Sequence, residues 1–323
     1  MIEERFALEV DGVEIPTALT LPEPARANGW ALLLIPGALN SDVDGNYAPM
    51  FPGQPPARTH VYKDLAGQLA AEGVAVLRFS KRGPGTGCVT RDEALARERY
   101  REFPQRVRVA EAFLDELRRR RPEAPLAVAG HSEGAVVATL LAQRRSEAAR
   151  LILLSGPAKP LLQLMIWQRH EASRRGGEAV SAEDFEQAMG WATDYAAGRE
   201  LPAERSGNAY AQLIDFFLRP DARPYLQSVE QVDPAQALAR VRLPVLLVQG
   251  GRDTSVNEPN ADLLLKAQPR AEIVRFAELS HCYKRAPEGL DSQASFLLEG
   301  DSDPAVAAAV AHWLNSTCAS VNS

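Results

Sequence analysis

Hydrophobic and polar positions alternate from Arg5 to Pro22 (RFALEVDGVEIPTALTLP) about a centre at Asp11-Gly12. A period of two on both sides of an Asp-Gly pair predicts an antiparallel hairpin. The pattern then changes. WALLLIPG, VAVLRF, LAVAG, LILLSG, PVLLVQG and AEIVRF are short, nearly all-apolar runs. Runs of that length suit strands covered on both faces, as in a parallel sheet. Between them the apolar residues recur at helical spacing. Tyr62–Glu72 closes on Gly73, about Pro104–Arg120 carries Val107, Ala110, Phe113, Leu114 and Leu117 on one face, and Ala135–Arg144 follows LAVAG.

From about Pro157 to Ala239 the alternation stops, and the pattern predicts helices without strands. One of them, SAEDFEQAMGWATDYAAG, opens with Ser181 three residues before Asp184, a capping signal. Strand–helix alternation resumes afterwards, with helices near Ala261–Ala267 and Pro304–Leu314. The expected fold class is α/β, a doubly wound, mostly parallel sheet with a helical insertion at the carboxyl ends of the strands. Residues 1–156 and 240–323 form the expected core and 157–239 the expected cap. The segment is rich in large groups such as Trp167, Trp191 and Tyr225, most of which are expected to pack its own interior. The remainder would line an apolar pocket, which would favour a substrate with an apolar acyl or aromatic part.

Composition narrows this picture. The chain has 323 residues, a net charge of −6 and a hydrophobic fraction of 46%, enough for a sizeable core. Its mild acidity argues against nucleic acid as a partner. The basic run Arg118–Arg121 reads as a solvated helix end before Pro122. Three dispersed cysteines, Cys88, Cys282 and Cys318, suggest neither a disulfide framework nor a zinc site. With no apolar signal region or membrane-length run, a cytoplasmic protein is expected.

The chemistry concentrates at Gly130-His131-Ser132-Glu133-Gly134, a G-x-S-x-G sequence placed between a strand and a helix. A sharp turn there would crowd Gly130 and Gly134 until only hydrogen fits, and would present the Ser132 hydroxyl at the strand edge. The hydroxyl needs a base. Of five histidines, His281 alone follows a strand end on the same edge of the sheet; His131 should point away from its neighbour. Asp253, in the turn after PVLLVQG, is the carboxylate expected to orient His281, and the order Ser132, Asp253, His281 suits this architecture. The backbone N–H groups of Ala38 and Glu133 are the expected oxyanion donors, with their side chains incidental.

With these motifs the chain resembles the α/β-hydrolase superfamily over nearly its whole length. A closer resemblance is to bacterial carboxylesterases whose oxyanion loop reads like G-S-G-P-x-D-x-D-G-N. Here that loop is Gly37-Ala38-Leu39-Asn40-Ser41-Asp42-Val43-Asp44-Gly45-Asn46, with Leu39 and Asn40 replacing the second glycine and the proline. The D-K-R-G-x-G segment of those enzymes is here Ser80-Lys81-Arg82-Gly83-Pro84-Gly85. The resemblance implies a serine hydrolase of a small ester or thioester, working through an acyl-enzyme on Ser132 without metal or cofactor. A peptidase, a lactonase, and an acyltransferase or cyclase use the same residues, and a ligand-binding protein without chemistry shares the fold. Asp42-x-Asp44-Gly45-Asn46 has its glycine in the wrong place for a calcium loop, and an Asx-turn network bracing the oxyanion loop is expected instead. The Pro-rich stretch from Tyr47 to Tyr62 either walls the pocket or only connects.

Overall fold

The computed structural model describes residues 1–49, 55–97 and 102–316. Part of the Pro-rich stretch, residues 50–54, lies outside these, as does Cys318. The hairpin is formed by β1 (Ile2–Val10) and β2 (Val13–Leu21), joined by Asp11 and Gly12, both at positive φ as a tight primed turn requires. β3 (Ala31–Ile35), α1 (Val61–Ala71), β4 (Ala75–Phe79), β5 (Val89–Thr90), α2 (Glu93–Arg97), α3 (Pro104–Arg120), β6 (Leu126–His131), α4 (Glu133–Arg144) and β7 (Ala148–Leu154) follow. The helical insertion comprises α5 (Leu161–Arg175), α6 (Ala182–Ala196), α7 (Ala211–Leu218), α8 (Arg223–Val229) and α9 (Pro234–Ala239). β8 (Val245–Gly250), α10 (Glu258–Ala267), β9 (Glu272–Phe276), α11 (Ser292–Ser295) and α12 (Pro304–Asn315) complete the chain.

The strands order as β1-β2-β4-β3-β6-β7-β8-β9, with β5 pairing on β2. β2 pairs antiparallel with its partners, and β4 through β9 run parallel. The all-apolar runs have a direct cause. Leu33 and Ile35 of β3 enter the core beneath α3 and α4, while Leu32 and Leu34 enter the one beneath α1 and α12. Both faces are dry, so both registers must be hydrophobic, and each buried leucine contributes about 2 kcal/mol. Phe79 stacks on Phe113 at 4.0 Å between centroids, fastening β4 to α3.

The insertion has its own apolar cluster, made by Leu162, Ile166, Ala188, Ala192, Tyr210, Ile214 and Leu226. Ser181 caps α6 by accepting the Asp184 N–H at 2.9 Å. Tyr225 departs from the expected packing: it lies against the main core and reaches Glu133. Among the described residues no helix is long and apolar enough to cross a membrane.

Candidate active site

β6 runs into Ser132, whose backbone sits at φ 56° and ψ −123°, and α4 starts at the next residue. Such a conformation costs about 1–3 kcal/mol and persists only where its surroundings enforce it. Here the Ser132 N–H donates to the Leu154 carbonyl at 2.8 Å, and the Ala135 N–H returns to the Ser132 carbonyl at 2.9 Å. A Cβ on Gly130 would lie 1.9 Å from the Gly134 carbonyl oxygen, and one on Gly134 would lie 2.4 Å from that of Ile35. Both distances are too short for any side chain. The first N–H groups of α4, including that of Glu133, have no acceptor within the helix and face outward from its N-terminus.

Asp253 and His281 lie in loops after β8 and β9. Two glycines let those loops touch: a Cβ on Gly250 would lie 2.4 Å from the Leu279 carbonyl, and one on Gly251 would lie 2.7 Å from that of Ala277. His281 Nδ1 bonds Asp253 Oδ2 at 2.7 Å, and both residues are buried. The other carboxylate oxygen accepts the N–H groups of Ser255 and Val256 at 2.9 and 2.8 Å. The acceptor on Nδ1 fixes the proton there and leaves Nε2 with its lone pair. Asp253 and His281 meet directly, the neighbouring His131 touches His281, and among the described residues no hydrogen bond to the Ser132 hydroxyl is found.

His131 turns its side chain into the interior. Its Nε2 donates to the His281 carbonyl at 2.9 Å, its Nδ1 lies 3.2 Å from the Tyr62 hydroxyl, and its ring centroid is 4.6 Å from that of His281. Burial, reinforced by the neighbouring His281, drives its pKa down to about 3, so His131 is a neutral strut. The Tyr62 hydroxyl also accepts the Gly37 N–H at 2.8 Å. That occupies Gly37 and leaves Ala38 as the next N–H in the loop.

The loop beyond is braced as an Asx network. Asp42 Oδ1 accepts the N–H groups of Asp44 and Asn46, both at 2.9 Å, and Asp44 pairs with Arg5 and Arg78 at 2.8 and 3.0 Å. Leu39, standing where the resembled esterases carry glycine, takes φ 66°.

The Glu133 side chain is far from incidental. Its Oε1 accepts from Lys81 Nζ at 2.5 Å and lies 2.9 Å from Arg106 Nε, a charge contact without hydrogen-bond geometry. Its Oε2 accepts from the Tyr225 hydroxyl. Burial alone would raise its pKa, but the charges of Arg106 and Lys81 hold it at about 2. Burial pushes Lys81 down to about 8 against the pull of Glu133, so both remain ionised at neutral pH. Sequence reasoning missed Lys81, Arg106, Tyr225 and Tyr62. A lysine two residues past an apolar strand run was the available signal for the first. A cavity of about 440 Å³ adjoins this cluster, with Ile35, Phe79, Val109 and Val137 on its apolar side and Lys81 and Arg106 on its polar side. It reaches the oxyanion loop at Pro36 and Asn40, but Ser132 is not in its lining.

Residues 58–285 match the family model described as Hydrolase_4, serine aminopeptidase, S33. Esterase EstD of Thermotoga maritima is 24% identical over 303 residues, which cover 93% of this chain and 65% of EstD. This chain thus spans about two thirds of that relative. Est1E from Butyrivibrio proteoclasticus, solved with ferulic acid bound, is similar at TM-score 0.57 and 16% identity, over 96% of this chain and 97% of its own. A hydrolase from Pseudomonas aeruginosa is similar at TM-score 0.54 and 18% identity, over 97% and 98%. These likenesses are those of the α/β-hydrolase fold.

Proposed function

The chain belongs to the serine aminopeptidase S33 family of α/β-hydrolases, and on that premise we propose that it cleaves a small carboxylic ester or thioester through an acyl-enzyme on Ser132. The observation that carries the proposal is the Nδ1–Oδ2 bond between His281 and Asp253, which leaves Nε2 free to act as a base. His281 Nε2 takes the Ser132 proton as Oγ attacks the carbonyl carbon. The carbonyl electron pair moves onto oxygen, which the N–H groups of Ala38 and Glu133 receive. Collapse expels the alcohol or thiol, protonated by His281, and leaves Ser132 acylated. Water, losing its proton to His281, adds to the acyl carbon and releases the acid. Asp253 stays ionised and stabilises the imidazolium. Helices between residues 157 and 239 act as a cap that selects the substrate, and the apolar side of the neighbouring cavity favours an acyl or aromatic group.

The family description favours a second reading, an aminopeptidase. Its substrate carries an ammonium group, which cations nearby repel. Glu133 is committed to Lys81, Arg106 and Tyr225, and the cavity rim carries those cations, which supports the ester. The test compares p-nitrophenyl butyrate with an alanine p-nitroanilide, and labels Ser132 with a fluorophosphonate. Ester turnover and labelling that vanish in Ser132→Ala are expected. Anilide cleavage without ester cleavage favours the peptidase, and full activity of Ser132→Ala sinks both.

A further inference from the structure

Lys81 is the second residue past the end of β4 and is buried. Its ammonium makes two bonds at once, to the Gly37 carbonyl at 2.7 Å and to Glu133 Oε1 at 2.5 Å. The Gly37 carbonyl and the Ala38 N–H share one peptide plane. In a trans peptide they point in opposite directions, and no cis bond occurs among the described residues. Anchoring the carbonyl on Lys81 therefore aims the Ala38 N–H the other way. The preceding peptide is fixed as well, through the Gly37 N–H on Tyr62. The loop also packs on the elbow, since a Cβ on Gly37 would lie 3.1 Å from that of Ser132.

We propose that Lys81 is a positioning residue that sets both oxyanion donors in one frame: it orients the Ala38 N–H through the Gly37 carbonyl and holds Glu133, the residue supplying the other N–H. This rests on the serine-esterase reading above. The wider Glu133 cluster makes the frame stiff. The Arg106 guanidinium carbon stacks 4.2 Å above the Tyr225 ring, and Tyr225 and Arg106 both meet the carboxylate that Lys81 binds. A surface lysine would lack this leverage, because a solvated ammonium gives no fixed direction to a peptide.

Without Lys81 the Gly37 carbonyl has no donor and the Ala38 peptide can rotate. Transition-state binding then falls while ground-state binding does not. In Lys81→Met we expect kcat on p-nitrophenyl butyrate to drop about 10- to 100-fold with KM nearly unchanged. Affinity for an aryl trifluoromethyl ketone, whose adduct on serine carries an oxyanion, should fall by the same factor as kcat/KM. Lys81→Arg should recover part of both. The double variant Lys81→Met/Glu133→Gln removes the buried pair together and replaces Lys81→Met if the single variant does not fold. A merely structural Lys81 would lower the melting temperature but leave ketone affinity alone. Wild-type kcat and ketone affinity in whichever variant folds overturns the assignment while leaving the esterase reading intact. A wild-type enzyme that neither turns over ester nor is labelled at Ser132 overturns the reading, and this assignment with it.

Discussion

Asp253 and His281, 28 positions apart, meet through a 2.7 Å bond with both side chains sealed from solvent. The aspartate accepts three hydrogen bonds, two from backbone and one from the imidazole, so its charge is fully compensated where it lies. Replacing it therefore tests chemistry and support separately. Asp253→Asn keeps the shape, but its amide group faces Nδ1 with a donor and drives the proton to Nε2. Ester turnover should drop by about 10³- to 10⁴-fold, with a folded protein by circular dichroism. Near-normal kcat in a folded Asp253→Asn would count against the assigned roles.

Gly134→Ala probes the elbow itself. The added methyl would press on the Ile35 and Pro36 carbonyls at 2.4 and 2.6 Å, and both belong to the backbone leading into the oxyanion loop. A cost of about 3 kcal/mol or more is expected, read as a lower melting temperature and reduced soluble yield. Wild-type stability would show that the strand can shift without penalty.

Arg78 is buried on β4 and ties four groups together: Thr20, Glu3, Asp44 and the Val43 carbonyl. Arg78→Met removes one of two guanidinium partners from each of two carboxylates, leaving Glu3 and Asp44 to share Arg5. A loss of about 3–5 kcal/mol is expected in chemical denaturation. A midpoint unchanged from wild type would mean that the exposed Arg5 suffices.

Glu230 provides a pH test. It is buried, its Oε1 accepts the Leu162 N–H at 2.6 Å, and its Oε2 has no partner. Burial raises its pKa from 4.5 to about 7, against the pull of those backbone N–H groups. A raised acid favours the fold while protonated, so its stabilisation is complete below the unfolded value and is lost as pH climbs toward 7. The linked loss is about 3 kcal/mol. Glu230→Gln should match wild type near pH 4 and melt several degrees higher at pH 8. Parallel melting curves across that range would rule out ionisation of this group as the cause.

Much of the fold was legible because dehydration leaves a strong mark. β3 is apolar at every position and β8 over its first four, as strands covered on both faces must be. β5 was invisible: two exposed residues that owe their strand geometry wholly to β2 carry no periodicity. The elbow was legible because the residue types it demands fall within five consecutive positions, although Ile35 and Leu154 help to enforce it. The Glu133 cluster was not, since Lys81, Arg106 and Tyr225 approach it from three separate elements and nothing local ties them. Which of the insertion's aromatics would leave its interior was not legible, because an aromatic at helical spacing looks the same whichever core it enters, and Tyr225 is one that does.

The helices between β7 and β8 close around a nucleus of their own, yet the chain leaves and re-enters the sheet through two adjoining parallel strands. Exit and return points are thus set by the sheet and not by what lies between them. The α5–α7 part could be transplanted from a relative as a cassette, giving a chimaera that recognises a different molecule while α8, whose Tyr225 reaches Glu133, stays where it is.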